Sequence, residues 1–279
     1  MPETYAAWVA RDVIAATGPD APAYLQGQLS QDVSGMAGGD STWSWVLAPT
    51  GKIDALVRVT LAADTWILDT DAGWGDALLA RLNRFRLRSK VDFESTGWRV
   101  LGLRGPAAMG AASPGGGTVA VADASWPGWP GVDLIGPDPA PPGRWRIAEA
   151  VEYEADRIAA GVPRMGAELT DKTIPAETGL VARTVSFTKG CYTGQELVAR
   201  VDSRGSNVPR HLCRVAAGGP VEVGDELWIE GRAVGRVTSA APAAAGGWVG
   251  LAYIRRGVEI PAAVRIGEGG PEAEVRELP

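Results

Sequence analysis

Two cysteines, Cys191 and Cys213, and one histidine, His211, are all that 279 residues carry. A secreted fold stapled by disulfides would hold more cysteines in a shorter chain. A four-ligand zinc site would need carboxylates to complete it, so no stably bound metal is expected from this chain alone. Lysine is scarce too: Lys52, Lys90, Lys172 and Lys189 are the whole set, and arginine supplies the rest of the positive charge. No run of about 18 apolar residues occurs, so no membrane span is expected. The first residues include Glu3, Arg11 and Asp12 and lack the basic-then-apolar order of a signal peptide, which points to the cytoplasm. A net charge of −6 leaves no broad basic surface of the kind nucleic acid selects, so direct nucleic-acid binding is not expected.

What is present reads as an ordinary globular chain, 46% hydrophobic and 22% charged, long enough for two or three domains. The first half alternates short strands with helices. Strands are expected at Arg11–Thr17, Trp43–Leu47, Ile53–Leu61, Thr65–Leu68 and Gly97–Arg104. Helices are expected at 21–29, with Pro22 in the first turn, at Trp74–Leu82 and at Pro106–Ala112. Pro49-Thr50-Gly51-Lys52 is a turn signal. Ser113–Gly117 and Trp126–Pro142 read as loop with short strands. Ile147–Ala160 is the most helical stretch, ended by Gly161 and Pro163. The region 166–205 is irregular and motif-rich. After Pro209 short apolar runs recur between turns at Leu212–Ala216, Glu226–Ile229, Val234–Thr238, Trp248–Ile254 and Ala262–Ile266. They predict a small antiparallel β-barrel of about 70 residues. The expected division is therefore 1–209, drawn as two intertwined α+β subdomains split near 95–105, and 210–279.

Two features carry chemistry. Arg84, Arg86, Arg88 and Lys90 recur at a spacing of two, which in a strand sets all four on one face. That face is either solvated or an anion site for a carboxylate or phosphate. The denser feature is Lys189-Gly190-Cys191-Tyr192-Thr193-Gly194-Gln195-Glu196. Two glycines flank a single thiol, and the turn they suggest precedes a short helix opening near Glu196. The positive helix end and Lys189 would both favour a thiolate, the nucleophilic and metal-binding form. The same residues also suit an inert cysteine buried on a turn. His211 and Cys213 read as structural residues at the entry to the barrel.

The Lys-Gly-Cys-Tyr-x-Gly-Gln-Glu stretch resembles the signature of the YgfZ family, which includes mitochondrial iron–sulfur assembly factors. Further segments are similar to that family: Tyr24-Leu25-Gln26-Gly27-Gln28-Leu29-Ser30-Gln31-Asp32-Val33, Pro49-x-Gly51-Lys52, Leu87-Arg88-Ser89-Lys90-Val91, Arg157-Ile158-x-x-Gly161-Val162-Pro163 and Pro175-x-Glu177. The resemblance spans nearly the whole chain. It implies an α+β fold of the glycine-cleavage aminomethyltransferase type with a C-terminal antiparallel β-barrel. It implies tetrahydrofolate, or a derivative, as cofactor, and iron–sulfur assembly proteins or client enzymes as partners, with tRNA modification affected indirectly. Cys191 would be the working thiol and a possible shared cluster ligand, Lys189 would tune it, and Gln195 and Glu196 would shape its loop. Asp54, Asp133, Arg86 and Arg88 would face folate. The aminomethyltransferase carries an acidic pair where this chain has Asp54-Ala55, which disfavours the alternative, a tetrahydrofolate-dependent aminomethyl or methylamine transferase centred on Asp54.

Overall fold

The computed structural model describes residues 4–111, 115–203 and 207–279. Glu3, Ala112, Ser113 and Gly205 lie outside them. In chain order the elements are β1 (Tyr5–Val9), β2 (Arg11–Thr17), α1 (Ala21–Gln28), β3 (Ser41–Leu47), β4 (Ile53–Ala62), β5 (Thr65–Asp71), α2 (Gly75–Phe85), β6 (Asp92–Ser95) and β7 (Arg99–Arg104). There follow β8 (Gly115–Gly117), β9 (Ala120–Asp123), β10 (Gly131–Gly136), β11 (Asp138–Ala140), α3 (Ala150–Ala159), α4 (Val181–Thr184) and α5 (Gln195–Ser203). The last strands are β12 (Arg210–Ala217), β13 (Glu226–Ile229), β14 (Arg232–Pro242), β15 (Trp248–Arg255), β16 (Ala262–Ile266) and β17 (Glu272–Arg276). The helix expected at 106–112 is only a 3-10 turn, Ala108–Ala111.

The chain divides into two compact units, Met1–Ala148 with Leu180–Ala199, and Glu149–Gly179 with Arg200–Pro279. A single cut near Arg210 differs from this division because α3 packs on the barrel: Ala155 and Ile158 share an apolar cluster with Leu212, Leu251 and Tyr253.

In the first unit, a five-stranded antiparallel sheet has the order β3-β4-β5-β2-β6, and a four-stranded one the order β1-β7-β10-β9. Strand alternation assigns each face a task. Ala55, Val57 and Val59 of β4 turn toward α1 and α2, where Tyr24, Leu25, Leu78 and Leu82 complete the core. The opposite face of β4 carries Asp54, Leu56, Arg58 and Thr60. A second apolar cluster, Val13, Ile67, Val100, Ala122 and Ile135, joins the two sheets.

One correction concerns the basic run. Arg84 lies within α2, Arg86 caps it in helical conformation, and Leu87 turns the chain at φ +46° before β6 begins at Asp92. The run is a helix end and a turn, so the four cations share no strand face. The amphipathic period of α2 continues through Leu82 to Phe85, and a spacing of two over so few residues does not exclude a helix terminus.

In the second unit the barrel closes in the order β12-β15-β14-β13-β16-β17. Its final strand, Glu-Ala-Glu-Val-Arg, turns Ala273 and Val275 into the core while the charged residues alternate outward. The helix expected from Ile147 starts at Ala150; the preceding residues instead bridge β1, with Ala6 N–H donating to Arg146 O and Ala148 N–H to Ala6 O, both at 2.8 Å.

Candidate functional site

Cys191 is exposed, and two residues of its motif, Lys189 before it and Gly194 after it, are held by close contacts. Lys189 is buried, and its ammonium donates to three backbone carbonyls, Gln26 O at 2.7 Å, Leu29 O at 2.8 Å and Gln31 O at 2.9 Å. These carbonyls belong to the last turn of α1 and the loop after it, where backbone acceptors lose their helical partners. Burial pushes the lysine pKa down to about 8, with Asp32 opposing. The three acceptors still hold it as the ammonium at neutral pH, since a neutral amine has only two N–H bonds. The Lys189 ammonium also sits 5.4 Å from the Tyr192 ring centroid. Tyr192 is buried, and that burial raises its phenol to about 12.

Downstream of the thiol, Gly194 has φ +83°, a region that favours glycine. A Cβ there would lie 2.7 Å from Ala48 O and 2.9 Å from the Leu47 Cβ. Gly51, at φ +75°, meets Leu197 in the same way, at 2.5 Å from an added Cβ. The Pro49–Lys52 turn and the cysteine motif are therefore pressed together by two glycines. Gly190 differs: its φ is not positive, and an added Cβ meets nothing within 4 Å. Of the two glycines that flank the thiol, Gly194 alone takes a positive φ. Glu196 lies in the first turn of α5, which opens at Gln195.

Asp54 stands on β4 with its side chain about a third exposed, at 33%. Its Oδ2 accepts from Arg81 Nε at 3.0 Å. Arg81 also donates to Gln28 Oε1 at 3.0 Å and to Leu47 O at 2.9 Å. This arginine ties α1, α2, β3 and β4 together. No sequence pattern singled it out, because its partners lie far from it in the chain.

Asp133 is elsewhere in the unit and is fully engaged. Its Oδ2 accepts from Arg58 at 2.7 Å and its Oδ1 from Arg104 at 2.7 Å. Arg58 also makes two bonds to Asp69, at 3.0 and 3.1 Å, and Arg11 joins the same carboxylate. Burial works against the Asp133 charge, but Arg104 and Arg58 outweigh it and hold the carboxyl far below the usual range. Asp133, expected to face folate, is a buried member of a network that joins the two sheets. Arg86 bonds Val91 O and Asp92, both at 3.1 Å, and exposed Arg88 borders a shallow surface recess with Asp20, Leu87 and Ser89.

Comparison with known proteins places this geometry. The glycine cleavage system aminomethyltransferase T of Bartonella henselae superposes with a TM-score of 0.82 over 99% of this chain and 86% of that one, at 20% identity. That match shows the fold. A tRNA-modifying protein YgfZ of Edwardsiella ictaluri is 30% identical over 217 residues, 68% of this chain and 64% of its own length. A mitochondrial iron–sulfur cluster assembly factor homologue of Chaetomium globosum is 28% identical over 264 residues, 79% of this chain and 58% of its own.

The chain is a distant homologue of the YgfZ proteins.

No family model matches it, and it spans less than two thirds of the length of these two curated relatives. Among the residues singled out from the YgfZ resemblance, the structure brings Lys189, Tyr192 and Gly194 together with the α1 exit and the Pro49–Lys52 turn. It sets Asp133 apart, in the arginine network. Among the described residues no cluster of three or more His, Cys, Asp or Glu could hold a metal ion, and no helix is long and apolar enough to cross a membrane.

Proposed function

We propose that this chain is a folate-binding accessory protein that supports iron–sulfur cluster assembly or repair in the cytoplasm, affects tRNA modification indirectly, and uses Cys191 as its working thiol. The observation that carries the reading is an exposed cysteine on a loop whose two neighbours in the motif, Lys189 and Gly194, are anchored by buried contacts. A fixed frame around a free thiol suits transfer or shared ligation, and thiolates are the usual cluster ligands. One thiol cannot hold a cluster alone, so an assembly protein or client enzyme supplies the remaining ligands. The names of the relatives, a tRNA-modifying protein and an iron–sulfur assembly factor, support that class of partner.

Of the residues assigned to folate, Asp54 fits. Its carboxylate is oriented by Arg81 through one oxygen, remains partly exposed, and can accept from the pterin ring nitrogens. Asp133 does not fit: it is buried, and Arg58 and Arg104 each hold one of its oxygens. Arg86 and exposed Arg88 would meet the glutamate carboxylates. Tetrahydrofolate, when bound, supplies one-carbon chemistry; the residues named here bind and orient it. The transferase alternative would place a second acid at residue 55, yet Ala55 belongs to the apolar core against α1 and α2.

Calorimetry with tetrahydrofolate under reducing conditions, on wild type, Cys191→Ala and Asp54→Asn, tests the reading. Binding by wild type and Cys191→Ala, weakened in Asp54→Asn, is expected. No binding by wild type removes folate from the account. Formation of methylene-tetrahydrofolate with glycine-cleavage components would favour the transferase.

A further inference from the structure

We infer that Lys189 is a positioning residue: its ammonium latches the Cys191 loop onto the exit of α1, and it does not act by lending its charge to the thiol. The inference rests on the reading that this loop is the working site, but it is tested on the loop alone.

All three N–H bonds of the ammonium are spent on Gln26 O, Leu29 O and Gln31 O. These carbonyls span six residues of chain, and a tetrahedral donor on a flexible stem can satisfy three acceptors that converge on one point. Around this latch the two segments are stitched at further points. Ser186 N–H donates to Ser30 O at 3.0 Å, and Thr193 N–H to Gly27 O at 3.3 Å. Gln31 Nε2 donates to Arg183 O at 3.0 Å, and Ser30 Oγ to Thr184 O at 2.6 Å. The α1 exit thus runs beside residues 183–193, with Lys189 at the centre of the seam. Gln26, Ser30 and Gln31 become the support of the thiol loop, which gives the Tyr24–Val33 segment a physical task.

This assignment separates shape from charge. Arginine keeps the positive charge but presents a planar fork, which cannot direct three N–H bonds at one point as an ammonium does. A charge-lending lysine would be replaced well by arginine; a latch would not.

The experiment compares wild type, Lys189→Arg and Lys189→Met by amide hydrogen exchange over residues 186–195 and by the pH profile of Cys191 alkylation with iodoacetamide. Both variants are expected to exchange these amides at least about tenfold faster than wild type, because charge-assisted bonds are lost from a buried seam. The midpoint of the alkylation profile is expected to be the same in all three. Wild-type exchange in Lys189→Arg would overturn the inference. So would a midpoint raised in Lys189→Met and restored in Lys189→Arg. If neither variant folds, Gln31→Ala, which removes the side-chain bond to Arg183 O and the one from Asp32 N–H, carries the test: faster exchange over 186–195 supports the seam, and unchanged exchange there contradicts it. These outcomes do not depend on whether Cys191 is needed in cells, so the latch can fail while the functional reading stands.

Discussion

Replacing Gly194 with alanine isolates the packing that frames the thiol. The new methyl group carries two costs. A φ of +83° is unfavourable for an L-residue by about 1–2 kcal/mol. The Cβ would also stand 2.7 Å from Ala48 O, the backbone carbonyl that accepts from Gly51 N–H in the turn, and 2.9 Å from the Leu47 Cβ. Neither neighbour is the end of a flexible side chain, so the turn must shift, at about 1–3 kcal/mol. Together these give a loss of roughly 2–5 kcal/mol. Gly190→Ala is the control, because position 190 has an ordinary φ and open space around it; its effect should stay within about 0.5 kcal/mol. Urea unfolding followed by tryptophan fluorescence measures both. Equal losses for the two variants, or none for Gly194→Ala, would refute the claim that the hairpin turn and the cysteine loop are held together by this close approach.

The arginine network gives a second expectation. Arg58→Met leaves the Asp69 and Asp133 carboxylates buried with fewer partners and should cost about 3–5 kcal/mol in the same assay, whereas Arg236→Met, in the exposed pair with Glu226, should cost under about 1 kcal/mol. The two thiols should differ sharply toward a disulfide reagent under native conditions: exposed Cys191 reacts at once, while Cys213, buried and pushed up to about 11 by that burial and by Glu277, reacts only on unfolding; Cys191→Ala should abolish the fast phase. For pH, Asp133 and Glu154 both lie below their ordinary values in the folded state, because their arginine partners outweigh the opposing effect of burial. Depressed carboxyl pKa values contribute stability above the unfolded values near 4 and lose it as pH falls below them. The midpoint of urea unfolding should therefore not fall through these groups between pH 8 and 5 and should drop below about pH 4; a steady fall from pH 7 to 5 would contradict this.

The strands of the barrel were legible because their apolar residues alternate between turns, but β17 was not, since Ala273 and Val275 are its only inward residues among three charged ones. The basic run misled because a two-residue spacing is too short to separate a strand from a helix end that turns at Leu87. The cysteine motif stood out as a compact block of sequence. Its supports did not: Lys189 reaches carbonyls more than 150 positions earlier, and Arg81 joins Asp54, Gln28 and Leu47 across four elements. Asp133 could be read as a ligand only while Arg58 and Arg104 were unseen, because side chains that pair across a sheet leave no local signature. Chemistry concentrated in one loop is visible in sequence, and the framework that fixes it is visible only when distant segments meet.

The most direct test of the account is complementation of a strain lacking this chain by Cys191→Ala, read as the activity of its iron–sulfur enzymes. The account predicts that the variant accumulates, binds tetrahydrofolate as wild type does, and fails to restore that activity. Full restoration by Cys191→Ala would contradict it and leave a folate-holding scaffold in which the exposed thiol has no task.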